Sequence, residues 1–168
     1  TMMESMDLDK IKEVFDELTS TNFLRYLSEL TGIYNIISDP FYNGGGIHRT
    51  SSGGHLNIHS DYVFHGITKW YRRINLLLYL TPNWQEEWGG NLELWDTDMS
   101  SKVKDVLPIQ NRAVIFNTTT KSFHGHPHPL QCPNDIYRYS IALYYFTVEP
   151  PDDLTEDELH TSAQWKYI

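Results

Sequence analysis

The chain has 168 residues and a mass of 19.7 kDa, enough for one domain with a buried core. Hydrophobic residues make up 40% and charged residues 21%, which excludes extended disorder. Thirteen Lys and Arg against 22 Asp and Glu give a formal charge of −9, so nucleic acid is excluded as the main partner for want of a basic footprint. One cysteine, Cys132, leaves no intrachain disulfide and no Cys-rich zinc site. No apolar run approaches a membrane span and no signal-peptide pattern opens the chain. A cytoplasmic protein without a membrane partner is therefore expected, monomeric or weakly dimeric.

The opening third begins with helical periodicity. Leu8, Ile11, Val14, Phe15 and Leu18 recur at helical spacing, and residues 19–22 supply capping side chains. A second run, Phe23, Leu24, Leu27 and Leu30, stops at Gly32, a natural C′ residue. Residues 43–54 are polar and Gly-rich and read as a flexible loop or a tight hairpin. They lack the Lys-Ser/Thr ending of a phosphate loop. From residue 55 the chain reads as short strands: 55–61, 71–81, 90–95, 104–109, 112–117, 121–126 and 137–148. Successive strands without intervening helices predict an antiparallel sandwich or barrel. One domain is expected, with helical support over 7–32, a β core over about 33–148 and an acidic tail over 149–168. Trp165 and Tyr167 are candidates to dock that tail back onto the core.

Strand alternation sorts the chemistry onto faces. Ile74, Leu76, Leu78 and Leu80 form an apolar face predicted to lie under the helices. Tyr71, Arg73, Asn75, Leu77 and Tyr79 form the opposite, mixed face. In the last strand Arg138, Ser140, Ala142 and Tyr144 share a face, and the two small residues leave room beside the Arg for a ligand. His55, Asn57, His59 and Asp61 share a face in the first strand. His59 and Asp61, two apart, can reach one ion, and a distant His would complete a facial set of two His and one carboxylate. Such a set suits non-heme Fe(II). The distant candidates are His124, His126 and His128.

The order His-x-Asp, Gly-Gly, distant His, then Arg before Ser resembles the 2-oxoglutarate and Fe(II)-dependent dioxygenases, in their prolyl 4-hydroxylase-like branch. The matching stretches are IHSDY, RRINLLLYLTPNWQEEWGGNLELWD, LPIQNRAVIFNTTTKSFHGHP and YRYSIALYYF. The resemblance implies a mainly β chain with N-terminal helices, folded as a double-stranded β-helix, or jelly roll. It implies iron on His59, Asp61 and His124, with His126 the runner-up and His128 third. It implies Arg138 and Tyr79 on the distal carboxylate of 2-oxoglutarate, Leu77 as a wall, and Asn75 as a further contact. The cofactors implied are Fe(II), 2-oxoglutarate and O2, with ascorbate a candidate reductant.

The activity implied is hydroxylation of an unactivated C–H, first of all in a prolyl residue of a peptide or protein. A free amino acid, a sugar or a small metabolite is the alternative substrate. The carboxylate at Asp61 favours hydroxylation over halogenation. Two readings of another class are a non-catalytic jelly-roll binding module and a capsid-type jelly roll. A lectin needs neither Arg138 nor Tyr79, and a capsid protein does not need the ligand order.

The remaining features have plainer expectations. His48, His55, His65, His126, His128 and His160 read as solvated or hydrogen-bonded, with His55 the one to watch on the face of His59. Lys69, Arg72 and Arg73 read as a solvated basic edge. Trp84, Trp88 and Trp95 read as packing residues, Gly89-Gly90 as a tight turn, and Cys132 as a thiol without a catalytic base.

Overall fold

In the computed structural model, residues 7–152, 154, 155, 158 and 162–166 are described. His160, Tyr167 and much of the acidic tail lie outside them.

The two helices start and stop where their caps dictate. α1 (Leu8–Leu18) is capped by Asp7, whose carboxylate accepts from the Asp9 amide. α2 (Thr21–Thr31) is capped by the Ser20 hydroxyl, which accepts from the Phe23 amide, and ends at Gly32 with φ +72°. Neither helix, nor any other among the described residues, is long and apolar enough to cross a membrane.

Eleven strands follow among the described residues. They are β1 (Ile37–Ser38), β2 (Gly46–Thr50), β3 (Leu56–Ser60), β4 (Phe64–His65), β5 (Trp70–Tyr79) and β6 (Leu92–Trp95). The rest are β7 (Lys102–Val106), β8 (Ala113–Asn117), β9 (His124–His126), β10 (Arg138–Thr147) and β11 (Gln164–Lys166). All pair antiparallel, in two sheets that make a jelly roll. In one sheet β10 and β5 form the centre, with β1 and β2 along the free edge of β10 and β4 and β8 along that of β5. The other runs β11-β3-β9-β6-β7.

The outer face of the larger sheet is the main core. Ile74, Leu76, Ile141, Leu143 and Tyr145 pack there against Leu27, Ile36 and the apolar stripes of both helices, as the alternation predicts. The Tyr145 hydroxyl donates to the carbonyl of Leu18, one of the unpaired carbonyls that end α1. At the start of β10 the buried Thr81 hydroxyl accepts from the Tyr139 amide and donates to the Tyr137 carbonyl, both at 2.8 Å. This side chain anchors the strand beside Arg138.

Two expectations are corrected. The Gly-rich stretch 43–54 contains a strand: β2 pairs with β10 over Arg138–Ala142. Its polar composition reflects exposure at a sheet edge, and Gly45 is needed because a Cβ there would sit 2.9 Å from the Ala142 carbonyl oxygen. The tail also contributes a strand, since β11 pairs with β3 and brings Trp165 opposite His59.

Leu27 is fully buried beneath the sheet, whereas Ile67 is 79% exposed. Leu27→Ala is expected to cost about 2–5 kcal/mol of stability, and Ile67→Ala to stay within about 0.5 kcal/mol of the parent. Urea unfolding of the two variants measures the contrast.

Candidate active site

β3 and β9 are antiparallel neighbours whose register sets His59 directly opposite His124. Asp61 follows just beyond the end of β3. The Nε2 of His59 lies 3.7 Å from Asp61 Oδ1, and the Nε2 of His124 lies 3.7 Å from Oδ2. One ligand atom from each of the three lies within 4.8 Å of the others, an arrangement that can hold a metal ion.

The two imidazoles are oriented by the same device. Nδ1 of His59 donates to the carbonyl of Asn57, and Nδ1 of His124 to that of Ser122, each at 2.9 Å. A carbonyl only accepts, so Nδ1 carries a proton in each ring, and Nε2 is the atom turned toward Asp61. Burial pushes His124 down to about 4, against the pull of Asp61, so the ring is neutral near pH 7, the ligating form.

Asp61 is held by its own network. Burial alone would raise its pKa, but His124, the Arg72 guanidinium and the Asn75 hydrogen bond together hold it below the ordinary range. Arg72 Nη1 lies 3.1 Å and Asn75 Nδ2 2.6 Å from Oδ2. Thr118 donates to Asn75 Oδ1 at 3.0 Å and so fixes which way the amide points. The Asn75 side chain is thus engaged with Asp61 and Thr118, although it also lines the cavity.

Arg72 overturns the reading of residues 69–73 as a solvated edge. It is 1% exposed and lies between the Tyr62 and Tyr144 rings, at 4.0 and 3.8 Å. The cause is a bulge. Ile74 pairs with Tyr145 but Arg72 pairs with Phe146, so Arg73 is an extra residue in β5 and the faces swap beyond it. Strict alternation puts Arg73 on the site face; the bulge puts Arg72 there. The signal available in the sequence was an Arg pair at the start of a strand leading away from a buried carboxylate.

A cavity of about 420 Å³ opens between the sheets, lined by His59, Asp61 and His124 and also by Leu77, Arg138, Ser140 and Ala142. Arg138 is buried, and its Nε donates to the Gly90 carbonyl at 2.9 Å. Gly90, at φ +73°, has no room for a side chain: a Cβ would meet Leu130 at 2.5 Å and Arg138 Cδ at 3.1 Å. Its role exceeds the expected turn, because it lets the backbone reach the guanidinium. Burial disfavours the charge on Arg138, and among the described residues no carboxylate pairs with it. A guanidinium with most donors unanswered in a buried cavity needs an anion. The Tyr79 ring packs against Arg138 at 4.9 Å, and its enclosed hydroxyl makes no close hydrogen bond, its polar neighbour being the guanidinium itself. Tyr79 does not itself line the cavity. A metal-holding cluster and an unpaired guanidinium on one cavity therefore fit a divalent ion and a small carboxylate-bearing molecule together.

The other histidines separate from the cluster. His126 is buried and lines the cavity, and His55 lines it too. His128 is exposed and faces Glu93 at 3.8 Å. His65 is buried between Asn43 and the Thr68 amide, and His48 is exposed with Nε2 3.1 Å from the Gly44 carbonyl oxygen. Trp84 and Trp88 pack edge to face beside Leu130 and the buried Cys132.

Residues 45–146, well over half of the chain, match the family model described as 2OG-Fe(II) oxygenase superfamily. A mouse protein named prolyl 3-hydroxylase OGFOD1 is 42% identical over 79 residues, covering 45% of this chain and 14% of that protein. Its namesake from Xenopus laevis is 37% identical over 57 residues, covering 32% and 11%. The matched stretch is thus a small part of either relative's length. Among solved structures, a prolyl 4-hydroxylase from Phytophthora capsici superposes with a TM-score of 0.57 at 24% identity, covering 91% of this chain and 52% of that one. This likeness is one of fold.

Arg72→Gln removes the cation beside Asp61. Co(II) titration of the metal-free protein, read by visible absorption, is expected to show binding weakened about 10- to 100-fold. Lys69→Gln is expected to leave it unchanged.

Proposed function

Since this chain belongs to the 2OG-Fe(II) oxygenase superfamily, we propose that it is a 2-oxoglutarate-dependent dioxygenase hydroxylating a prolyl residue of a protein or peptide. The observation that carries the reading is the shared cavity, in which a His-Asp-His cluster and a buried guanidinium without an anion line the same walls. In this reading His59, Asp61 and His124 hold the iron, and the chain, residues 1–168, acts as one oxygenase domain.

When bound, Fe(II) supplies activation of O2 coupled to oxidative decarboxylation of 2-oxoglutarate. The chain's own residues supply orientation. Asn57 and Ser122 carbonyls aim the two imidazoles, and Arg72 and Asn75 keep Asp61 ionised and fixed. Arg138 offers its fork to the far carboxylate of 2-oxoglutarate, with the Tyr79 hydroxyl as a second donor. Ser140 and Ala142 leave the space, and Leu77 walls it.

The two sequence relatives bear the name prolyl 3-hydroxylase, which supports proline as the target and C3 as its position. The acidic balance supports a neutral or basic target and, with the single cysteine, a cytoplasmic setting without nucleic-acid or membrane partners. A binding module would not need an oriented ligand triad beside an unpaired guanidinium, and the family match opposes it.

Turnover of 2-oxoglutarate to succinate with Fe(II), screened over proline-containing peptides and free amino acids, tests the reading. Product mass should rise by one oxygen on a prolyl residue. His59→Ala, Asp61→Ala and His124→Ala are each expected to abolish turnover. Activity kept in His124→Ala but lost in His126→Ala would reassign the third ligand. Arg138→Ala is expected to weaken 2-oxoglutarate binding about 10- to 150-fold while sparing the metal, and Arg138→Lys to weaken it less. Anaerobic calorimetry measures both.

A further inference from the structure

We propose that Trp165, carried on the C-terminal strand, is a positioning residue of the metal site: its indole covers one face of the His59 ring and holds Nε2 toward Asp61. The inference rests on the reading of His59, Asp61 and His124 as the iron ligands.

The geometry is direct. β11 pairs antiparallel with β3, and Trp165 stands opposite His59 in that register. The two rings are stacked, with centroids 4.5 Å apart and planes 17° from parallel. Trp165 does not line the cavity, so it acts through His59 and touches nothing that reacts.

The His59 ring needs this contact. Its Nδ1 has one hydrogen bond, to the Asn57 carbonyl, and the His124 ring meets it only at a tilt, with centroids 4.5 Å apart and planes 45° from parallel, so neither lies flat against the imidazole. A flat surface laid on the imidazole fixes its tilt. Exposure points the same way. Trp165 is 46% exposed and His59 7%, so the indole takes the contact with water that the imidazole would otherwise have. His124 has a matching arrangement: one carbonyl on Nδ1, from Ser122, and, besides the His59 ring, the aromatic ring of Phe116 at 4.8 Å. Each imidazole of the cluster thus has a carbonyl to set its tautomer and an aromatic ring to set its tilt. Phe116 comes from β8 in the body of the fold. Trp165 comes from a three-residue strand at the sheet edge.

The test is Co(II) titration of the full metal-free chain and of Trp165→Phe and Trp165→Ala. Visible absorption and tryptophan fluorescence are read together, with circular dichroism to confirm folding. In the parent, the paramagnetic ion should quench the tryptophan beside His59. Trp165→Phe keeps a stacking ring, so Co(II) affinity should stay within about 2-fold of the parent while most of the quench disappears. Trp165→Ala should bind Co(II) roughly 2- to 10-fold more weakly, a loss that Phe rescues. Parental affinity in a folded Trp165→Ala, or an intact quench in Trp165→Phe, overturns the inference and leaves the metal site standing. A parent that binds no Co(II) overturns both. Should Trp165→Ala fail to fold, the quench in Trp165→Phe decides.

Discussion

A buried carboxylate has to be answered by its surroundings, and Asp61 is answered from every side. Its two oxygens face the Nε2 atoms of His59 and His124, and Oδ2 also receives Arg72 and Asn75. Removing a charge from water costs several kcal/mol unless partners are fixed in place, and an unpaired one would neutralise instead. Much of the surrounding architecture serves this requirement. The bulge at Arg73 turns Arg72 inward, and Thr118 fixes the amide of Asn75. Tyr62 and Tyr144 sandwich the guanidinium so that it cannot swing away. An ionised, rigid carboxylate facing the Nε2 atoms of two oriented imidazoles is the outcome.

The jelly roll brings these residues together from distant parts of the chain. His59 and Asp61 belong to one sheet and its exit, Arg72 and Asn75 to the other, and the cavity lies between. The helices contribute at a distance. By covering Ile74, Leu76, Ile141 and Leu143 they fix the outer face of β5 and β10, so the inner faces can carry polar residues. A strand with one face locked in a core has its register specified, and the same register then aims Asn75, Leu77, Arg138 and Ser140 inward.

What was legible in the sequence follows from periodicity. The apolar side of β5, the Arg138-Ser140-Ala142-Tyr144 face of β10, and both helices with their Ser20 and Gly32 ends all obey regular spacing, and they stand as expected. His59 and Asp61 were visible because a two-residue spacing on a strand is local. The features that escaped are those in which local pattern and tertiary structure part. β2 looks like a loop because an exposed edge strand with Gly45 beside it has no apolar face to announce it. Arg72 was hidden by a single inserted residue, which inverts every facing inference beyond it. β11 is three residues long in an acidic tail, below the length at which alternation can be counted. Gly90 read as a turn because nothing in its neighbourhood shows that Arg138, 48 positions on, will press against it.

The two buried charges of the cavity make opposite statements. Asp61 has more partners than a carboxylate needs to stay ionised, so the protein alone accounts for it. Arg138 has one carbonyl at Nε and the ring and hydroxyl of Tyr79 beside it, and no carboxylate among the described residues. Were the guanidinium there for stability, a carboxylate on a neighbouring strand would be the ordinary solution, and an apolar residue of similar size would cost less. Ser140 and Ala142 beside it are small where a packed core would be filled. In the proposed reading, a charge that the fold buries, supports from behind and leaves without a carboxylate in front is there for a molecule that brings its own anion. The distance from that charge to the His-Asp-His cluster is spanned by the cavity, so the same molecule can meet both. The division of labour follows from electrostatics: the carboxylate is satisfied internally so that it can be kept rigid, and the guanidinium is left open so that binding has something to gain.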